Sequence, residues 1–107
     1  MANAGYEVHI LQEVKGGNGF GILPDKNPDF LIGPSVFDCY SPMFAPARNV
    51  YSNVQKKTLE QASRIILNLN RYSLSIEELY WQFKTHKLDT LDEMFVIING
   101  EIVRWFP

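Results

Sequence analysis

Residues 26–41 concentrate side chains that could do chemistry: Lys26, Asp29, Asp38, Tyr40 and Ser41. Between them lie two short apolar runs, Phe30-Leu31-Ile32 and Val36-Phe37, separated by Gly33-Pro34-Ser35. That order predicts a tight β-hairpin. Lys26 and Asp29 then precede the first strand, and Asp38, Tyr40 and Ser41 end the second, so the polar groups gather at the hairpin's open end. Successive strand side chains point to opposite faces, which gives Asp38 and Tyr40 one face and Phe37 and Cys39 the other. A carboxylate and a phenol beside a lysine and a second carboxylate form a set suited to moving protons and holding an anion. A hairpin needs none of this for stability. Ordinary roles are also open: Asp29 can bond backbone amides in a turn, Asp38 can pair with an arginine, and Tyr40 can be an amphipathic core residue.

Other residues with chemical potential are more scattered. Arg48 and Asn49 fall at the expected start of a helix, where a cation is electrostatically unhelpful and a bound anion would account for it. His9 and His86 are the only histidines and could form an acid/base pair, although His86 near a helix C-terminus suits the helix dipole. Trp81 and Trp105 could stack on bases, with core or partner contacts as the plainer roles. Gly16-Gly17-Asn18-Gly19-Phe20-Gly21 has the glycines of a phosphate loop. It lacks the following helix and the Lys-Ser or Lys-Thr pair, so it reads as a flexible connector. A single cysteine, Cys39, excludes an internal disulfide and a multi-cysteine zinc site, and reads as a packed thiol.

The elements that must position these groups follow from periodicity. Tyr6 to Glu13 alternates as a strand, and the 29–40 hairpin follows the glycine stretch. Pro46 suits a helix entrance, and Val50, Val54, Thr58 and Ala62 recur at helical spacing, predicting a helix over 47–61. Arg64 to Leu69 reads as a largely buried strand. Ser75 with Glu78 forms a capping box, and Ile76, Leu79, Tyr80 and Phe83 mark a second helix to about Lys87. Met94–Ile98 and Glu101–Trp105 flank Asn99-Gly100, a strong hairpin turn. The string β-ββ-α-β-α-ββ predicts an α+β fold, one domain over residues 1–107, with a mainly antiparallel twisted sheet and two helices.

The 107 residues are 46% hydrophobic and 13% aromatic, enough for a compact core. No apolar run approaches ~18 residues, and the first residues lack the basic and apolar segments of an export signal. The net charge of −2 argues mildly against nucleic-acid binding. Its distribution argues the other way. Residues 47–72 hold five cations against one carboxylate, and residues 77–101 two against six. A basic stretch beside an acidic one is compatible with an RNA-facing side or with two ordinary solvated faces.

Several motifs together carry a resemblance. Gly5-Tyr6-Glu7-Val8, Lys26 to Phe30, Phe37-Asp38-Cys39-Tyr40-Ser41-Pro42, Arg48-Asn49-Val50, Gln61 to Leu69 and the hairpin Val96 to Trp105 occur in order along nearly the whole chain. This resembles the C-terminal toxin domains of CdiA-type contact-dependent growth inhibition proteins and related polymorphic toxins. The resemblance implies a nuclease of the Barnase–EndoU–Colicin–RelE type acting on RNA, most of all tRNA. It implies neutralisation by a cognate immunity protein, a monomeric domain with no membrane partner, and a place within a larger secreted or cell-surface protein that acts in the target cell's cytoplasm.

For RNA cleavage without a metal or other cofactor, Lys26 and Arg48 would hold the phosphate. Arg64 is a further candidate for that role, Asp38 would orient or deprotonate, Tyr40 with Ser41 would donate hydrogen bonds or a proton, and Asp29 joins this catalytic set. Asn49, Lys56, Arg64 and Asn68 would contact substrate. Pro28-Asp29 and Asp38-Cys39-Tyr40 also imitate the spacing of a PD-(D/E)XK nuclease, but Tyr40 takes the lysine's position, so the expected cleavage is metal-independent. A Mg²⁺-dependent nuclease using Asp29 and Asp38, and a non-catalytic interaction domain on the same scaffold, are the alternatives.

Overall fold

The computed structural model describes residues 8–106. Its elements are β1 (Val8–Ile10), β2 (Phe30–Ile32), β3 (Ser35–Tyr40), α1 (Ala47–Glu60), β4 (Arg64–Asn68), α2 (Ile76–Thr85), β5 (Glu93–Ile98) and β6 (Glu101–Phe106). The Gly5-Tyr6-Glu7 part of the first motif lies outside the described residues, and β1 ends at Ile10 rather than Glu13. All six strands form one sheet in chain order.

The local signals account for the elements. In α1, Val50, Val54 and Thr58 are buried at intervals of one helical turn. Pro46 stands at its N-cap, and its carbonyl accepts from the Asn49 and Val50 amides. Ser75 caps α2 by accepting from the Glu78 amide at 3.1 Å. The β5–β6 turn places Asn99 and Gly100 at positive φ, 50° and 79°, as the Asn-Gly pair requires.

The sheet is mixed. β1–β2, β2–β3 and β5–β6 pair antiparallel, but the central pairs β3–β4 and β4–β5 are parallel. Three of the five pairings are antiparallel, in line with the expected mainly antiparallel sheet, and the parallel centre is its departure. A helix between two neighbouring strands is a crossover, and crossovers return the chain in parallel. The unbroken apolar run Ile65-Ile66-Leu67 is the pattern of a strand covered on both faces.

Both crossovers run in the same direction along the sheet, so right-handedness sets both helices on one face. There Val50, Val54, Leu79 and Phe83 close over Ile65, Leu67, Met94 and Val96 in the main core. The other face carries a smaller cluster, Ile32, Phe37 and Ile66, flanked by Val8, Phe30, Cys39, Phe95 and Ile97. With α1 following β3, the helix layer ends near that strand. A groove opens between α1 and β3, on the face that alternation gives to Asp38 and Tyr40.

The glycine stretch is tied down rather than a loose connector. Asn27 accepts from the Val14 amide at 2.9 Å and donates to the Val14 carbonyl at 3.1 Å. The Ile22 and Leu23 amides donate to the carbonyls of Gln61 and Glu60, docking the segment on the end of α1. At Gly17, with φ of +107°, an added Cβ would overlap the Pro24 carbonyl, whereas Gly16 faces open space. Gly17→Ala is therefore expected to lower thermal stability by at least ~1 kcal/mol, and by more than Gly16→Ala. Thermal unfolding of the two variants checks this.

Candidate active site

The hairpin register creates the centre of the site. Phe30 pairs with Phe37 and Leu31 with Val36. Continued by one residue, that register sets Asp29 opposite Asp38. Asp29 Oδ2 accepts from the Cys39 amide at 2.9 Å, which holds its carboxylate against β3. Asp29 thus bonds a backbone amide across the hairpin rather than in its own turn, which places the group beside Asp38.

Asp38 is only 3% exposed. Its Oδ2 accepts from Lys57 Nζ at 2.8 Å, a charge-assisted bond reaching across from α1. Burial pushes the Asp38 carboxyl up, from the ordinary 3.8 to about 6. Lys57 opposes that shift through its hydrogen bond and charge, and neighbouring Asp29 adds to it in the same two ways. The result is a carboxyl that changes protonation close to neutral pH, as acid–base chemistry requires.

Tyr40 lies two residues further along the same face. Asn53 Nδ2 donates to its hydroxyl at 2.7 Å, and Lys57 Nζ stands 5.7 Å from its ring centroid. Tyr40, Asn53, Lys57 and Lys26 line a cleft of about 330 Å³, together with Lys56, Glu60 and Gln61. A second cleft of about 270 Å³ adjoins it through Lys26 and Gln61 and reaches Asp29. Lys26 Nζ bridges to Glu60 at 3.2 Å, clipping the loop to α1 at the cleft wall.

The site therefore assembles Lys26, Asp29, Asp38 and Tyr40 from the expected set and adds Lys57 and Asn53. Lys57 follows Asn53 by one helical turn and flanks the buried Val50–Val54–Thr58 stripe, a signal available in the sequence. Arg48 is exposed in the first turn of α1, nine residues before Lys57, or ~14 Å along the helix axis. It stands apart from the carboxylates, as does exposed Asn49. Lys56 is exposed at the cleft edge.

The remaining expectations fall elsewhere. Ser41 follows the end of β3, and its hydroxyl contacts the Cys39 thiol rather than Asp38 or Tyr40. Arg64 and Asn68 alternate onto the opposite sheet face. Arg64 Nε meets Glu93 at 3.5 Å, and Asn68 Oδ1 accepts from the Asn70 amide. Burial raises the pKa of Cys39, consistent with a packed thiol. Trp105 is buried and Trp81 exposed. His86 is edge-on to Tyr51 at the end of α2, while His9 is on β1.

Comparison with known proteins meets this geometry. The family described as the contact-dependent growth inhibition CdiA C-terminal domain matches residues 26–103, a span containing Lys26, both carboxylates, Tyr40, Asn53 and Lys57. The chain belongs to that family. It is 34% identical over 98 residues to tRNA nuclease CdiA-2 of Burkholderia pseudomallei (strain 1026b), covering 91% of this chain and 3% of that protein. Among solved structures it is similar to the CdiA-CT/CdiI toxin and immunity complex from Burkholderia pseudomallei, with a TM-score of 0.75 and 32% identity. That match covers 99% of this chain and 76% of the other.

The Asp38 shift makes stability depend on pH. The folded state holds this proton more tightly than the unfolded state, so Asp38 lowers stability as pH rises from about 4 to about 6. The decline is at most about 3 kcal/mol for this group. Asp38→Asn should remove that part of the profile and unfold at an equal or higher temperature at pH 7. Thermal melts of both proteins from pH 4 to 8 check the difference.

Proposed function

We propose that this chain is the endoribonuclease toxin domain of a larger protein. In this reading it cleaves tRNA in the cytoplasm of a target bacterial cell and is neutralised by a cognate immunity protein. The observation that carries the reading is the buried Asp38, bonded by Lys57 and flanked by Asp29, directly behind two adjoining clefts that Lys57 and Asp29 line. The name of the curated relative supports tRNA as substrate, and the toxin–immunity pair in the similar structure supports the partner.

Expected metal independence rested on Tyr40 standing where a PD-(D/E)XK site has a lysine. Lys57 supplies an amine to Asp38 from α1 and removes that reason. The parallel β3–β4–β5 centre and two adjacent carboxylates also favour this frame over the Barnase–EndoU–Colicin–RelE type. Among the described residues no group of three or more His, Cys, Asp or Glu could hold a metal ion. Two carboxylates still fit Mg²⁺, which commonly takes one or two and completes its shell with water and substrate oxygens. Asp29 and Asp38 would hold the ion, and when bound it would supply positive charge to the phosphate and lower the pKa of a bound water.

The chain's own groups then divide the work. Lys57 faces the charge that develops on the phosphate, and in a route without the ion ionised Asp38 accepts a proton from the attacking hydroxyl. Tyr40 donates a hydrogen bond to a phosphate oxygen, and Lys26 and Lys56 hold the strand along the cleft. Arg48 takes a flanking phosphate beyond the cut. A metal-free route through Asp38 and Tyr40 is the second reading, favoured by the amine that already offsets the Asp38 charge.

Incubation of purified protein with total tRNA decides between them. Cleavage should stop in EDTA and return with Mg²⁺; cleavage that persists in EDTA assigns the metal-free route, and none under any condition refutes the nuclease reading. Lys57→Met should reduce cleavage at least ~10²-fold, whereas Lys56→Met should mainly weaken binding. Arg48→Ala should reduce the salt slope of tRNA binding by about one phosphate contact without loss of thermal stability.

A further inference from the structure

The Asn53–Tyr40 bond has a direction that matters for the reaction. A phenol has one proton to donate and lone pairs to accept with. Asn53 Nδ2 donates to the Tyr40 oxygen at 2.7 Å, so that contact leaves the phenolic proton unused. No described side chain is bonded to that proton, and the Tyr40 ring lines the cleft with Lys57 Nζ 5.7 Å from its centroid. The amine contributes positive charge beside the phenol, in the same cleft that a phosphate would enter.

We propose that Asn53 is a positioning residue, orienting the Tyr40 hydroxyl so that its proton points into the cleft toward a phosphate oxygen of the cleaved strand. The inference rests on the nuclease reading above and adds a residue and a bond direction to it. Asn53 is exposed and one turn before Lys57, so α1 presents the group that aims Tyr40 and the group that neutralises Asp38 on one side. A tether of α1 to β3 alone would work with either bond direction, whereas donation into the cleft requires this one.

Reversal of the bond tests this. Asn53→Asp is nearly isosteric but can only accept when ionised, so it draws the phenolic proton away from the cleft. Single-turnover cleavage of tRNA by Asn53→Asp should fall by about 10²-fold, as should cleavage by Tyr40→Phe, with thermal unfolding nearly unchanged. Asn53→Ala frees the phenol without reversing it and should lose clearly less. In a Tyr40→Phe background, Asn53→Asp should cost at most about twofold more.

Losses that multiply in the double variant would assign the effect to added negative charge and overturn the proposal. Equal losses in Asn53→Ala and Asn53→Asp, or wild-type rates in Asn53→Asp, would overturn it as well. With wild-type cleavage intact, each of these outcomes removes the orienting role alone. A wild-type protein that never cuts tRNA removes the nuclease reading and this proposal together.

Discussion

A carboxylate held almost out of water is the constraint around which this molecule is arranged. Asp38 sits mid-strand on β3 with 3% of its surface exposed, where an isolated charge is costly. Lys57 offsets that cost from one side, while Asp29 raises it from the other. A protein selected for stability alone gains little from two acids facing each other beside a half-buried amine. The arrangement instead keeps a base close to neutrality and leaves its surroundings attractive to positive charge. Perturbed groups of this kind cluster at functional sites.

The fold serves this arrangement through three connections. The β2–β3 hairpin brings the two carboxylates together by register. The crossover from β3 through α1 to β4 lays the helix beside the strand it has just left, so Lys57 and Asn53 reach back over Asp38 and Tyr40. The loop before β2, pinned to the end of α1 by the Ile22 and Leu23 amides and by the Lys26–Glu60 bridge, closes the cleft's remaining side. The core beneath, from Val50 and Val54 to Ile65 and Leu67, makes the distance between helix and strand a packed quantity rather than an adjustable one.

Much of this was legible in the residues. Alternation put Asp38 and Tyr40 on one face, the Asn99-Gly100 pair fixed the last hairpin, and Val50, Val54 and Thr58 set the buried side of α1. The parallel centre is legible too, because each helix lies between strands that neighbour one another. Lys57 was harder, because sequence distance says nothing of which strand a helix flank meets. Arg64 and Asn68 looked useful only as charges and amides in a basic stretch; their strand parity sends them to the far face. Ser41 illustrates the same limit, since alternation past the end of β3 turns it toward Cys39.

The most direct test of the account is an NMR titration of the Asp38 side-chain carboxyl carbon in the wild type, Lys57→Met and Asp29→Asn proteins. The account predicts a wild-type midpoint near 6. The midpoint should move upward without the Lys57 amine and downward without the Asp29 carboxylate. A wild-type midpoint at or below about 4, the ordinary range for aspartate, would contradict the account. So would a midpoint that neither substitution moves.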